Sequence, residues 1–314
     1  MFARLLFGTF ATCTIALAAP PASAEDWPTR PLTMVVPFAA GLATPLGQQV
    51  IVENVGGAGG MTGTGRVANA APDGYQFSLG SVDTMAINQT LYKKPLYHSD
   101  TDFTPVGLVI EQPIILIVRA DLPVSTLQEF VAYAKANQGK MQFGSAGPGS
   151  GSHLACARAN AAIGAEPTHV PYRGSAQAMQ DLAAGRIDFF CALGAAAMAP
   201  LESKTAKPVA ILTRERSPLF PDIPSASEQG LTGVESYFWS GFFFPKGTPD
   251  AIVKKMSAAT AETLDSKATQ DRLKKVGVSV IGPERRSPEY LKTFVDSEIA
   301  NWAATIKASG VSLD

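Results

Sequence analysis

The sequence predicts an α/β protein of two lobes, each a mostly parallel sheet flanked by helices. Strand and helix patterns alternate along most of the chain. Two long apolar strands, 114–119 and 237–244, flank a middle block that has strands and helices of its own, the pattern left when one lobe is inserted into another. The 290 residues that follow an N-terminal leader suffice for two cores.

The leader spans 1–24: Arg4, an apolar run over 5–19, and an Ala22-Ser23-Ala24 cleavage pattern. It reads as a secretory signal rather than an anchor, because the run is too short to span a bilayer. The mature chain is expected to begin at Glu25.

Residues 32–38, 48–53 and 75–80 read as the first three strands. Between the last two, the glycines of 56–60 open a helix of small residues that runs to Ala70, and Pro72-Asp73-Gly74 marks a turn. The near-continuous apolar run 114–119 suits a strand buried on both faces. Ser125 and Gln128 form a capping-box pattern, with Leu127, Phe130, Val131 and Ala134 on one face of the helix that follows. Over 141–174 the order is strand, glycine-rich loop, helix from near His153, strand, and a second loop.

A short helix over 177–184 ends at Gly185, and strands follow at 187–191 and 209–213. After a turn-rich stretch, the aromatic strand 237–244 reads as core. Two helices are expected to close the chain. Thr248 caps the first with Pro249 at its first position; Ser287-Pro288 start the second, whose stripe is Leu291, Phe294, Val295, Ile299, Trp302 and Ile306.

Charge excludes some function classes. Of 26 basic and 27 acidic residues the leader removes only Arg4, which leaves a slightly acidic protein with no bias towards nucleic acid or anionic membrane. His98, His153 and His169 are far apart and there is no C-x-x-C, so neither a metal nor a cofactor is expected. Cys156 and Cys191 remain after the leader, and a disulfide and two buried thiols are both open readings.

The chemistry concentrates in 143–153. Gly144, Gly147, Gly149 and Gly151 alternate with Ser145, Ser150 and Ser152 and lead into a helix. Free backbone N–H groups and hydroxyls at a helix N-terminus can cradle an anion, and a carboxylate is the natural guest, although such a loop can equally be a plain turn. No Gly-Lys-Ser/Thr follows, and G-x-G-x-x-S departs from the dinucleotide pattern. A hydrolase is the weaker alternative: Ser152-His153 are merely adjacent, and the G-x-S-x-G elbow is absent, so no catalytic residue is expected.

At this point the residues match a family. The segments Pro-Leu-Thr-Met-Val-Val-Pro-Phe-Ala-Ala-Gly over 31–41, Val-Glu-Asn-Val-Gly-Gly-Ala-Gly-Gly over 52–60, Ala-Pro-Asp-Gly-Tyr over 71–75, Ala-Ile-Asn over 86–88, 144–153, Val-Pro-Tyr-Arg-Gly over 170–174, Ala-Gly-Arg-Ile-Asp over 184–188, and Arg-Ser-Pro at 216 with Asp-Ile-Pro at 222 stand in order along nearly the whole mature chain. The chain resembles the Bug receptors, periplasmic solute-binding proteins of the tripartite tricarboxylate transporter type. The resemblance implies a type II Venus-flytrap fold, a periplasmic monomer, and a small organic acid ligand delivered to membrane permease subunits or presented to a sensor kinase. The expected division is 25–120 and 239–314 for the first lobe and 121–238 for the inserted second lobe.

By position, the first lobe would offer the ligand Phe38, Ala39, Ala40, Gly41 and Ser81, with Asp83 or Thr84 beside them. The second would offer Ser145, Gly147, Gly149, Ser150, Ser152, Tyr172 and Gly174, with His153 and Arg173 at the edge. Asp83 would repel an acid, which favours an edge role or contact with an amine. Neutral donors suit a carboxylate without a buried countercharge.

One departure stands out. The family has a helix between its first two strands, whereas here only six residues separate Gly41 from Gln48. A parallel crossover needs roughly ten to twelve residues, so the first two strands are expected to be re-paired, separated, or partly out of the sheet. The alternative function follows from it: an exported remnant of the family, impaired in binding by truncation after Gly41.

Overall fold

The computed structural model describes residues 27–36 and 46–313. The leader and residues 37–45 therefore lie outside the described residues.

The strands are β1 Leu32–Val36, β2 Val50–Asn54, β3 Gln76–Ser81, β4 Phe103–Arg119, β5 Gln142–Ser145, β6 Thr168–Pro171, β7 Phe189–Leu193, β8 Ala206–Ile211, β9 Tyr237–Pro245 and β10 Ser279–Val280. The helices are α1 Met61–Ala68, α2 Asn88–Leu91, α3 Leu127–Ala136, α4 Gly151–Ile163, α5 Ser175–Ala183, α6 Gly194–Glu202, α7 Asp250–Asp265, α8 Lys267–Lys275 and α9 Pro288–Ser309. A π-helical turn, Asp83–Ile87, leads into α2.

The sheet order is β2-β1-β3-β9-β4-β7-β5-β6, with β10 and β8 also on β4. One strand joins the two halves. Residues 103–113 of β4 pair antiparallel with β9, and 114–119 pair antiparallel with β7 and β8. The outer neighbours β2, β1 and β3 on one side, and β7, β5 and β6 on the other, run parallel. Pro105, Gly107 and Pro113 mask the first part of β4 in the sequence. Register shifts at Pro105/Gly107 and Leu108/Ile110 let the strand pass them.

Each half is covered on both faces. Ile114, Leu116 and Val118 face a core shared with α3 and α4, whereas Ile115 and Ile117 face one shared with α5 and α6, which explains the continuous apolar run. In the other half, α1 and α9 cover one face and α7 the opposite one.

The expectation of a disrupted first pair is corrected. β1 and β2 are parallel neighbours in continuous register from Leu32↔Val50 to Val36↔Asn54. The strands end earlier and begin later than the residue pattern suggests, so thirteen residues connect them rather than six. Thirteen residues reach about 43 Å, ample to return along a five-residue strand of roughly 17 Å without a helix. No helix lies between them among the described residues. None of the residues of β2 is fully buried, and Ile51 is 46% exposed.

Smaller corrections follow local chemistry. The capping box is Thr126 with Glu129, one residue beyond the expected pair, and Glu129 also accepts from Ser125 N. Pro249 rather than Thr248 is the N-cap of α7, because the Thr248 hydroxyl donates to Pro245 O. α8 stands between the two expected closing helices, and α6 and the turn at 83–91 were not legible as helix. Ser287 caps α9, and Gly310 ends it at φ +66°.

Candidate functional site

The C-terminal ends of β1, β3, β5 and β6 carry the loops that the sequence singles out, and in open α/β sheets ligands bind at such ends. Phe38, Ala39, Ala40 and Gly41 lie outside the described residues. The remaining candidates fall into two groups, Ser81 with Asp83 on one half and 145–153 with 172–174 on the other, and the structure brings the groups together. Asp83 Oδ1 accepts a hydrogen bond from Gly151 N at 2.9 Å, across 68 residues of sequence. Leu91 lies against Gly149, and Leu154 of α4 packs into the core of the opposite half.

Asp83 thus occupies the place expected of a bound anion, at the positive end of a thirteen-residue helix. Burial pushes its carboxyl up to about 6, and the Gly151 N–H pulls the other way.

The serine-glycine loop uses most of its own donors. Ala146 N donates to Ser152 Oγ, Gly147 N to Ser145 Oγ, Gly149 N to His153 Nδ1, and Ser150 N to Gly147 O. Ser150 caps α4 by accepting from His153 N. The loop is therefore preorganised rather than open. Gly147 at φ +135° brings its Cα under the Tyr172 carbonyl, where an added Cβ would stand 3.3 Å from the oxygen, and so ties the two loops together. Tyr172 N donates to Ser145 O and its hydroxyl to Asp181, so that hydroxyl is already committed. Gly174 caps α5 in extended backbone, and Arg173 is exposed.

Below the loop, His153 and His169 stack at 3.9 Å between ring centroids and 9° between planes, with Phe143 on His169. Burial, then the neighbouring His169, holds His153 down at about 4, and burial also lowers His169. His153 must be neutral to accept from Gly149 N at Nδ1. No sequence signal reveals this stack, because the rings come from α4 and β6. Ser145 Oγ lies 2.7 Å from His169 Nε2. A nucleophile must be reachable, however, and Ser145 is fully buried, while no carboxylate among the described residues accepts from the His169 ring to orient it. The pair is structural.

Ser81 is 3% exposed, and its Oγ has no hydrogen-bond partner among the described residues. Cys156 of α4 and Cys191 of β7 form a disulfide, with Cα atoms 5.5 Å apart, that fixes the site's helix to the sheet. On the far side of α4, Arg158 donates to Glu235 O and Thr305 and stacks over Trp302 of α9.

Gly149 is where closure is most easily tested. It sits at φ +72°, and an added Cβ would collide with Leu91, itself 1% exposed. Gly149→Ala is expected to hold the halves apart and weaken ligand binding by about tenfold or more, because closing to this contact would have to displace Leu91. Isothermal titration checks this; an unchanged Kd would show that the halves do not meet at Gly149 in the bound state.

Comparison with known proteins agrees with this architecture. The profile for tripartite tricarboxylate transporter family receptors matches residues 35–311. BugT of Bordetella pertussis is 31% identical over 309 residues, covering 94% of this chain and 94% of that protein. Among solved structures, MatC from Rhodopseudomonas palustris with bound malate superposes with TM-score 0.80 at 37% identity, covering 89% of this chain and 100% of that one. A second R. palustris protein, solved with adipate, gives TM-score 0.82 at 31% identity, covering 91% and 99%.

Proposed function

The chain belongs to the tripartite tricarboxylate transporter receptor family, and from that premise we propose that it is a periplasmic receptor that binds a small organic carboxylate between its two lobes and hands it to the family's membrane permease. The observation that carries the reading is the meeting of the two loop groups, through Asp83 with Gly151 and Leu91 with Gly149, at the C-terminal strand ends of both halves. Malate and adipate, held by the two R. palustris proteins, indicate the ligand's size and chemistry. We assign the ligand contacts to Ser81, Gly147, Gly149, Ser150, Ser152, Tyr172 and Gly174, together with 38–41, with the buried Ser145 as the support beneath them, and the lobes to 25–120 with 239–314 and to 121–238. The leader over 1–24 would carry the chain to the periplasm, and no helix among the described residues is long and apolar enough to cross a membrane.

Thermal unfolding of residues 25–314 with a panel of mono-, di- and tricarboxylates tests the reading. A ligand at a hundred times its Kd adds about 2.7 kcal/mol and raises the midpoint by several degrees. A selective shift is expected; a sharp transition blind to every carboxylate would contradict it.

A further inference from the structure

Helix α4 belongs to one half of the molecule, yet one of its faces lies against the other half. Gly151, Leu154 and Arg158 stand on that face at helical spacing: Gly151 N donates to Asp83, Leu154 packs into the opposite core, and Arg158 reaches α9. Seven residues place Arg158 about 10 Å along the helix from Gly151. It thus stands apart from the loops assigned to the ligand, on the same rigid element that begins at them.

On α9 a formed seat receives it. Trp302 is 1% exposed, and its indole N–H donates to Glu298 Oε2, which also accepts from Trp239 Nε1 of β9. The guanidinium of the half-buried Arg158 lies 4.2 Å from the Trp302 ring centroid, donates to Thr305 Oγ1 through Nε and Nη2, and reaches Asn301 Oδ1. Its Nη1 donates at 2.6 Å to Glu235 O, two residues before the chain re-enters the first half as β9. These partners are a carbonyl, a hydroxyl, an amide oxygen and a ring face, while the Glu235 and Glu298 carboxylates act on Arg158 through charge alone. Water replaces neutral acceptors readily, whereas a buried ion pair resists separation. The seat suits a contact that is made and released.

We propose that Arg158 is a positioning residue for ligand capture: docked on Trp302 and Thr305 it holds the two halves together, and it leaves this seat when the cleft opens. This rests on the receptor reading above and deepens it. Because the Arg158 seat and the Asp83 contact with Gly151 share one helix face, forming the first favours the second. Arg158 thereby sets how often the halves are together before a ligand arrives, and apparent affinity scales with that population.

Amide hydrogen exchange of the mature protein, with no ligand added, tests the inference. In Arg158→Met, which keeps an unbranched apolar stem over Trp302, segments 83–91 and 149–154 are expected to exchange about tenfold faster, equivalent to about 1.4 kcal/mol. Strands β4 and β7 are expected to keep the wild-type rates. Arg158→Lys retains a cation for the ring without the planar fork and is expected to restore part of the protection. Thr305→Val, made from α9, is expected to shift the same segments in the same direction, and to add nothing further when combined with Arg158→Met. Unchanged exchange at 83–91 and 149–154, additive effects of the two substitutions, or faster exchange spread evenly over both halves overturns the inference. Thr305→Val alone decides it should Arg158→Met fail to fold. No ligand enters the experiment, so its failure leaves the receptor reading to the carboxylate thermal shift.

Discussion

Replacing Cys156 and Cys191 together by alanine is expected to lower the unfolding free energy by about 4 kcal/mol, the chain-entropy value for a link across 35 residues. Both positions are fully buried in the core that α3 and α4 share with the sheet, so alanine avoids leaving a buried hydroxyl unpaired. The consequence reaches the site, because α4 begins with Gly151, Ser152 and His153. Urea titration of the oxidised protein and of the double variant measures the difference. The midpoint should fall, and the slope should rise as the unfolded chain expands. A loss below about 1 kcal/mol would mean that α4 is held by packing alone.

Asp83→Asn is expected to stabilise the ligand-free protein at pH 8 by up to about 3 kcal/mol, the upper limit set by a carboxyl raised to about 6 from 3.8. The unfolded carboxyl releases its proton first, so this penalty grows as pH rises from 3.8 to 6 and is complete above that. His153 works in the opposite direction. Its folded value of about 4 lies below the ordinary 6.5, so its contribution, up to about 3 kcal/mol, is full above pH 6.5 and is lost as pH falls towards 4. In the wild type the two nearly cancel between pH 4 and 6. In the variant the histidine remains alone, and stability should drop steeply with acid. Denaturation midpoints across this range check the claim; a variant less stable at pH 8, or one with the wild-type slope, would contradict it.

Much of the fold was legible because its signals are local. The run 114–119 showed double-sided burial, the stripe of α9 showed its face, and Ser287 with Gly310 marked its ends. What stayed hidden depends on contacts distant in sequence. Phe103 to Pro113 becomes strand because β9 supplies nine aligned partners, which overrides two prolines and a glycine. The pairing of β1 with β2 was misjudged through strand ends: placing each end two residues too far, and counting the connection only from Gly41, turned thirteen residues into six. At the site, the glycine-serine loop and its helix were readable. The use of its N–H groups, the Asp83 bond to Gly151 and the histidine stack were not, since each joins elements that only the folded chain brings together.

The most direct measurement is native mass spectrometry of the mature protein purified from the periplasm without refolding. The account predicts a one-to-one adduct with the mass of a small carboxylate, lost on collisional activation and regained on incubation with that compound. The bare chain mass alone, both as purified and after incubation with millimolar carboxylates and amino acids, would contradict a receptor that closes on such a ligand.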